Sequence, residues 1–170
     1  MRGHSESDRE EEAKAVTQKP YFPLYVDLSD WDILFIGGGS IASRRTKVLL
    51  DFAEHITVVA PKAEDEILRL AEEEKITLIQ RRFEATDLAG RDLVFAATDD
   101  KDLNEEIAAM CREKGIYVNA ASDRDLCDFF FPGIVKQGET VIGITASGKD
   151  HVKARKIRER IQNILTEEGI

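Results

Sequence analysis

The sequence predicts an α/β fold built on a doubly wound parallel sheet. Two observations support this prediction: apolar runs of strand length alternate with helical patterns between residues 32 and 121, and the first run ends in three consecutive glycines. Strands that alternate with helices in this way pair in parallel through right-handed crossovers. The chain has 170 residues, 42% hydrophobic and 34% charged, and this composition excludes a wholly disordered protein.

The first strand–helix–strand unit begins at Asp32. The apolar run from Asp32 to Ile36 is typical of a parallel strand that is buried on both faces. The helical pattern that follows places four apolar side chains on one face: Ile41, Val48, Leu49 and Phe52. A second strand at residues 56–60 is expected to end at Pro61.

Later segments continue the alternation. A helix near residues 64–74 precedes a strand at 76–80, and two further strands are predicted at 92–98 and 116–121. Between these last two strands, Asn104 is expected to cap a helix that Gly115 ends.

The alternation fails after Ser122. The sequence there predicts two strands joined by a Gln137-Gly138 turn, followed by a basic helix from about Val152 to Glu167. Residues 123–170 thus form a small β-rich appendage with a C-terminal helix, too small to bury a core of its own and expected to pack on a partner chain. Residues 1–19 are polar and without periodicity, so we interpret them as a disordered leader.

The glycine cluster is the strongest chemical signal. Residues 37–42 read Gly-Gly-Gly-Ser-Ile-Ala, a G-x-G-x-x-A fingerprint between a predicted strand and a predicted helix. Gly37 permits a tight turn, Gly39 lets the backbone approach a pyrophosphate, and the helix N-terminus offers free N–H groups to that anion. We therefore interpret residues 20–122 as a Rossmann-like domain that binds NAD; a glycine turn without a ligand is the alternative.

The second strand lacks the acidic residue that usually holds the ribose hydroxyls. The sequence at its end reads Ala60-Pro61-Lys62, so the adenosine ribose is expected to lie against backbone groups around Pro61 and Lys62. Because the positive charge of Lys62 is compatible with a 2′-phosphate, these residues do not decide between NAD and NADP.

Polar residues follow the fourth and fifth predicted strands. Thr98 is expected to border the nicotinamide, whereas Asp99 and Asp100 either line the cleft or start the next helix. Ser122 and Asp123 follow the fifth strand, with Asp128 shortly after them, and either carboxylate is a candidate general base; a turn-forming role is the alternative.

Charge is distributed unevenly along the chain. The net charge is −9, which argues against a nucleic-acid partner, but residues 149–160 contain six Lys or Arg and two acids. This segment either forms a solvated helix face or holds a small polyanion, and Lys149, His151 and Arg155 are the candidate substrate ligands. No cysteine or histidine cluster predicts a metal site, and no apolar run predicts a membrane span or signal peptide, so we expect a cytoplasmic protein.

Several segments, in order, resemble the precorrin-2 dehydrogenase family, the N-terminal part of siroheme synthases. They are YFPLYVDL, GGGSIASRR, VVAP, AATDDKDLN, VNAASDRDLCDFFFP and SGKDHVKARKIRERI. The resemblance implies NAD-dependent oxidation of precorrin-2 to sirohydrochlorin by a homodimer. It also implies dinucleotide contacts at Gly37, Gly38, Gly39, Ser40, Ile41, Pro61 and Lys62. The eight carboxylates of that substrate match the basic segment.

Departures from the family pattern bear on catalysis. Where the family commonly has N-V-x-D, with an Asp implicated in dehydrogenation and in metal chelation, this chain places Ser122, with Asp123 one residue later. The sequence also ends at Ile170, before the C-terminal helical segment that the longer bifunctional relatives possess, so we expect a dehydrogenase-only form that works beside a separate chelatase. The alternatives are a bifunctional enzyme that also inserts Fe²⁺ and a non-enzymatic nucleotide-sensing module.

Overall fold

The computed structural model describes residues 21–146 and 150–168. The predicted leader lies outside this described part. Five parallel strands form the larger sheet: β1 (Asp32–Gly38), β2 (His55–Ala63), β3 (Thr77–Ile79), β4 (Leu93–Ala96) and β5 (Tyr117–Ala120). Their order across the sheet is β3-β2-β1-β4-β5, which confirms the predicted doubly wound α/β fold.

Three helices connect these strands: α1 (Ser40–Leu49), α2 (Asp65–Glu72) and α3 (Lys101–Lys114). Short 3₁₀ turns at Ala85–Leu88 and Arg124–Leu126 lie in the loops. The central strands are buried on both faces, and the rings of Phe35 and Phe95 stack at 4.4 Å between their centroids. The core therefore lies on β1 and β4. The glycine turn lies at the end of β1, and the loop that contains Thr98 follows β4.

The appendage contains β6 (Gly133–Gln137), β7 (Thr140–Ile144) and α4 (His151–Glu168). The two strands pair antiparallel, and Gly138 takes the left-handed conformation that the tight turn requires, with φ of 57°. On β6, Val135 is 1% exposed, and Lys136 lies 3.2 Å from Asp51, near the end of α1. These contacts attach the appendage to the sheet unit of its own chain.

Three local predictions were wrong. Strand β2 continues through Pro61 to Ala63, because the ladder shifts register there and Pro61 needs no hydrogen-bond partner. Asp100, not Asn104, caps α3 by accepting a hydrogen bond from the Leu103 N–H, while Gly115 ends the helix as predicted. The buried residues of α1 are Ala42, Ser43, Thr46 and Leu49, so Leu49 is buried as predicted, whereas Ile41 and Val48 are only half-buried and Phe52 lies beyond the helix end.

Candidate functional site

The candidate site lies at the carboxyl ends of β1 and β4. Strand order reverses between these two strands, with β2 and β3 on one side and β5 on the other. Ligands of open α/β sheets bind in the crevice at this switch point. The glycine turn after β1, the loop after β4 and the loop after β5 all leave the sheet at this edge.

Two of the three glycines are required by the close packing of neighbouring backbone segments. A Cβ added to Gly37, whose φ is 107°, would overlap the Ala97 carbonyl oxygen and lie 2.7 Å from its carbon. A Cβ on Gly38 would lie 2.7 Å from the Lys62 carbonyl oxygen. The backbones of β1, β2 and β4 therefore meet too closely for side chains at these two positions.

Gly39 differs from both neighbours. It is exposed, caps α1 in an extended conformation, and no atom lies within 4 Å of the position that its Cβ would occupy. Ser40 is exposed and Ile41 is half-buried in the first turn of the helix. Free N–H groups at this turn face an open cradle, which fits the pyrophosphate of a dinucleotide.

Pro61 and Lys62 flank this cradle. Both are exposed in the last part of β2, and the Glu64 N–H donates to the Gly38 carbonyl at 2.9 Å. The structure thus brings these residues next to the glycine turn, where the sequence predicts the adenosine end of the cofactor.

The loop after β4 is held by a buried amide. The Asn104 Oδ1 accepts hydrogen bonds from the Thr98 N–H and hydroxyl at 3.1 and 2.8 Å, and its Nδ2 donates to the Thr98 carbonyl. Asn104 is 0% exposed. Thr98 therefore lies beside the glycine turn with its hydroxyl engaged within the loop, Asp100 starts α3, and Asp99 is exposed.

Ser122 and Asp123 lie in the loop after β5, and both are exposed. The Asp123 carboxylate accepts a hydrogen bond from the Asp125 N–H at 2.8 Å, which shows the turn-forming role that the sequence left open. The half-buried Cys127 thiol lies below this loop and donates to the carbonyls of Ala120 and Asp123. Burial raises the pKa of this thiol.

Sequence reasoning missed Arg45. This α1 residue lies half-buried, and its Nη1 donates to the Asn119 Oδ1 at 2.7 Å. Its guanidinium carbon is 5.5 Å from the centroid of the Phe95 ring and 5.2 Å from that of Phe131. Burial, with repulsion from Arg44, lowers the pKa of Arg45 to about 10. A cation in a helix usually faces solvent, so only the tertiary contacts reveal this residue.

The predicted substrate ligands are only partly described. Lys149 lies outside the described residues, and so does the side chain of His151. Arg155 is exposed on α4, 3.8 Å from Glu159. Within the described part, no group of three or more His, Cys, Asp or Glu side chains is arranged to hold a metal ion.

The comparisons with known proteins agree with this geometry. A family model for NAD(P)-binding domains matches residues 24–133, the segment that contains the glycine turn and the whole parallel sheet. The chain belongs to this NAD(P)-binding family. Its cofactor is accordingly a nicotinamide dinucleotide. None of the helices described here is long and apolar enough to cross a membrane.

The relatives to which this chain is similar include siroheme synthases. That of Methylococcus capsulatus is 39% identical over 145 residues and that of Pseudoalteromonas atlantica 37%; each alignment covers 85% of this chain and 31% of the relative. The chain thus spans about a third of the length of these relatives. Among solved structures, SirC, a precorrin-2 dehydrogenase, superposes with a TM-score of 0.74 at 24% identity, over 84% of this chain and 70% of that one.

Proposed function

We propose that this protein oxidises precorrin-2 to sirohydrochlorin with NAD as the electron acceptor. One observation carries the proposal: the open cradle at Gly39 lies in a chain that aligns with siroheme synthases over 85% of its length. The similarity of the whole fold to SirC supports the same reaction.

In this proposal the chain's residues contribute mainly placement. The amides at the start of α1 bind the pyrophosphate, Pro61 and Lys62 lie against the adenosine, and Thr98 borders the nicotinamide. When bound, the nicotinamide supplies the hydride acceptor. Holding cofactor and macrocycle in reactive geometry can account for ~7–11 kcal/mol of the barrier in the best-oriented cases.

We assign the loss of the macrocycle proton to the loop after β5. Asp123 is exposed there with a fixed backbone contact, so it can meet a ligand without leaving its turn. Asp123→Asn keeps the acceptor oxygen for the Asp125 N–H but removes the base. We expect kcat to fall about 10²-fold or more, within the usual range for general-base catalysis, with the Kd for NAD unchanged. A kcat for Asp123→Asn equal to that of wild type would show that Asp123 is not a catalytic residue.

The proposed assembly is a homodimer that works beside a separate chelatase. Exposed apolar side chains support self-association: Phe22 and Leu24 in the N-terminal arm are 87% and 76% exposed, and Val152 and Ile157 on α4 are 56% and 41% exposed. The basic helix α4 would then lie near the substrate cleft, with Lys149, His151 and Arg155 as carboxylate ligands.

The decisive experiment is anaerobic incubation of the protein with precorrin-2 and NAD. The expected result is the absorption spectrum of sirohydrochlorin with one NADH formed per turnover. Gly39→Asp places a carboxylate in the cradle and should abolish NAD binding by calorimetry, whereas the neutral Gly39→Asn separates the effect of charge from that of bulk. Binding of NAD without any oxidation of precorrin-2 would contradict the proposed reaction.

The choice of NAD over NADP rests on the resemblance to precorrin-2 dehydrogenases. Lys62, exposed beside the cradle, offers a positive charge to a 2′-phosphate. Calorimetric titration with each cofactor decides the point. Tighter binding of NADP, lost in Lys62→Gln, would contradict the assignment of NAD.

A further inference from the structure

Arg45 carries a charge that no carboxylate balances in the described part of the chain; the acidic group that acts on it there is the Cys127 thiol, whose own pKa burial raises. The only hydrogen bond of Arg45 there goes to a neutral amide, the Asn119 Oδ1, and its only close positive neighbour is Arg44. Burying a cation without a counter-ion costs free energy that the neutral partners recover only in part. A purely structural role would be met at lower cost by an uncharged side chain.

The guanidinium is nevertheless held in one orientation. The rings of Phe95 and Phe131 lie within 5.5 Å of its carbon, and Nη1 is fixed by Asn119. Asn119 is itself fixed, because its Nδ2 donates to the Phe129 carbonyl at 2.7 Å. The guanidinium and the amide that binds it are therefore positioned by their surroundings before any ligand arrives.

The remaining donors of Arg45 reach solvent. Among the described residues, Thr46 Oγ1 is the buried side-chain polar atom without a partner, so no nitrogen of Arg45 is both enclosed and unbonded. A guanidinium has five N–H donors in a planar fork, of which Asn119 uses one. The open edge of the fork matches the two oxygens of a carboxylate.

The position of Arg45 is next to the proposed reaction site. It lies about 9 Å along α1 from Gly39, at 1.5 Å per residue. Its partner Asn119 is in β5, three residues before Ser122, and Phe131 follows the loop that contains Asp123. Arg45 thus connects the helix below the cofactor cradle to the segment that carries the proposed base.

We propose that Arg45 is a substrate-binding residue whose guanidinium receives one side-chain carboxylate of the tetrapyrrole, between the cofactor cradle and the loop after β5. The inference rests on the proposed function for the identity of the substrate. The anion is a carboxylate of the macrocycle and not the cofactor's pyrophosphate, because the free amides at the start of α1 serve the pyrophosphate and Arg45 lies about 9 Å further along the helix.

The test compares Arg45→Gln with Arg44→Gln. Arg44 is exposed at the neighbouring position, so its variant removes the same charge from the same helix. Uroporphyrin, a stable porphyrin with eight carboxylates, serves as the probe in a fluorescence titration. We expect Arg45→Gln to weaken uroporphyrin binding roughly 10- to 100-fold, a loss typical of a charge-assisted bidentate contact, and Arg44→Gln to weaken it less than threefold.

Arg45→Lys keeps the charge and removes the fork. Arg45→Lys should therefore bind uroporphyrin more tightly than Arg45→Gln but more weakly than wild type. If Arg45→Gln does not fold, the uroporphyrin titration is made with Arg45→Lys instead. Equal uroporphyrin affinity in wild type and both Arg45 variants would overturn the inference, and so would a loss of NAD affinity as large as the loss of uroporphyrin affinity. If wild type fails to oxidise precorrin-2, the proposed function fails, while the uroporphyrin titration still decides the role of Arg45.

Discussion

The sheet unit and the appendage bury their side chains in different ways. Strands β1 and β4 are enclosed on both faces, with Ile33, Phe35 and Phe95 at 0% exposure. Strands β6 and β7 are mostly half-buried, and α4 leaves Ile157 and Ile164 more than 40% exposed. The core of the sheet unit is therefore enclosed within one chain, whereas the appendage leaves apolar side chains exposed.

This difference separates the requirements for folding from the requirements for assembly. Changes in the sheet unit should alter the stability of the monomer, and changes on the outer face of α4 should alter association alone. The glycine turn combines folding with ligand binding, because Gly37 and Gly38 permit close backbone packing and Gly39 leaves space for the ligand.

The largest effect on folding is expected for Gly37→Ala. Its Cβ would overlap the Ala97 carbonyl at a φ of 107°, a strain of about 3 kcal/mol or more. The melting temperature should fall by roughly 6–12 °C. Gly39→Ala meets no atom within 4 Å and should cost less than about 1 kcal/mol. Calorimetric melting curves that coincide for the two variants would show that the turn is not close-packed.

An intermediate effect is expected for Ile157→Asp. A carboxylate at this 41% exposed position costs about 1.5–3 kcal/mol of association free energy when the side chain is buried between two copies. Light scattering should show wild type at twice the chain mass of 19.1 kDa and the variant shifted toward one chain. The exposed Asn163→Asp is the matched control. A monomeric wild type would refute the proposed dimer.

The smallest effect is expected for Asp87→Asn, and it depends on pH. Arg81 binds both oxygens of Asp87 at 2.8 and 2.6 Å and, with the Glu84 N–H, lowers the pKa of this nearly buried carboxyl. Because the folded pKa lies below the unfolded value of about 3.9, the carboxylate stabilises the fold above that pH and its contribution is lost as pH falls.

Urea denaturation at pH 7 should therefore give a free energy of unfolding about 1 kcal/mol lower for Asp87→Asn than for wild type. The difference is this small because Arg81 is partly exposed, so solvent screens the ion pair. The deficit should shrink below pH 4. The exposed Glu105→Gln on α3 is the control and should match wild type at both pH values. A deficit that is constant from pH 7 to pH 3 would mean that the charge on Asp87 is irrelevant.

The fold was predictable from sequence because its signals are local. Apolar runs of strand length and the glycine fingerprint fall where β1 and the start of α1 are found. The end of β2 was missed because Pro61 is normally a strand terminator. Strand β3 pairs with β2 only as far as Val59, so the missing N–H of Pro61 removes no hydrogen bond between these two strands. Where β3 ends is a property of a neighbouring strand, and the residues around Pro61 do not reveal it.

The errors in the site have the same origin. Asn104 has the side chain of a helix cap, but Asp100 takes that role and Asn104 is buried to bind the Thr98 backbone. Arg45 acquires its surroundings from Phe95, Asn119 and Phe131, which lie far from it in sequence. Periodicity predicts which residues lie on a helix face, and it does not predict which distant groups that face meets.

The direct backbone contact between Gly37 and Ala97 limits how the molecule can move. With no side chain between them, β1 and β4 form a rigid seam that cannot separate without losing that contact. Any widening of the crevice to admit a bulky ligand is therefore expected at the loop after β5, not between these two strands. The floor of the crevice is fixed, and adaptation to a ligand falls to the part of the chain that leads into the appendage.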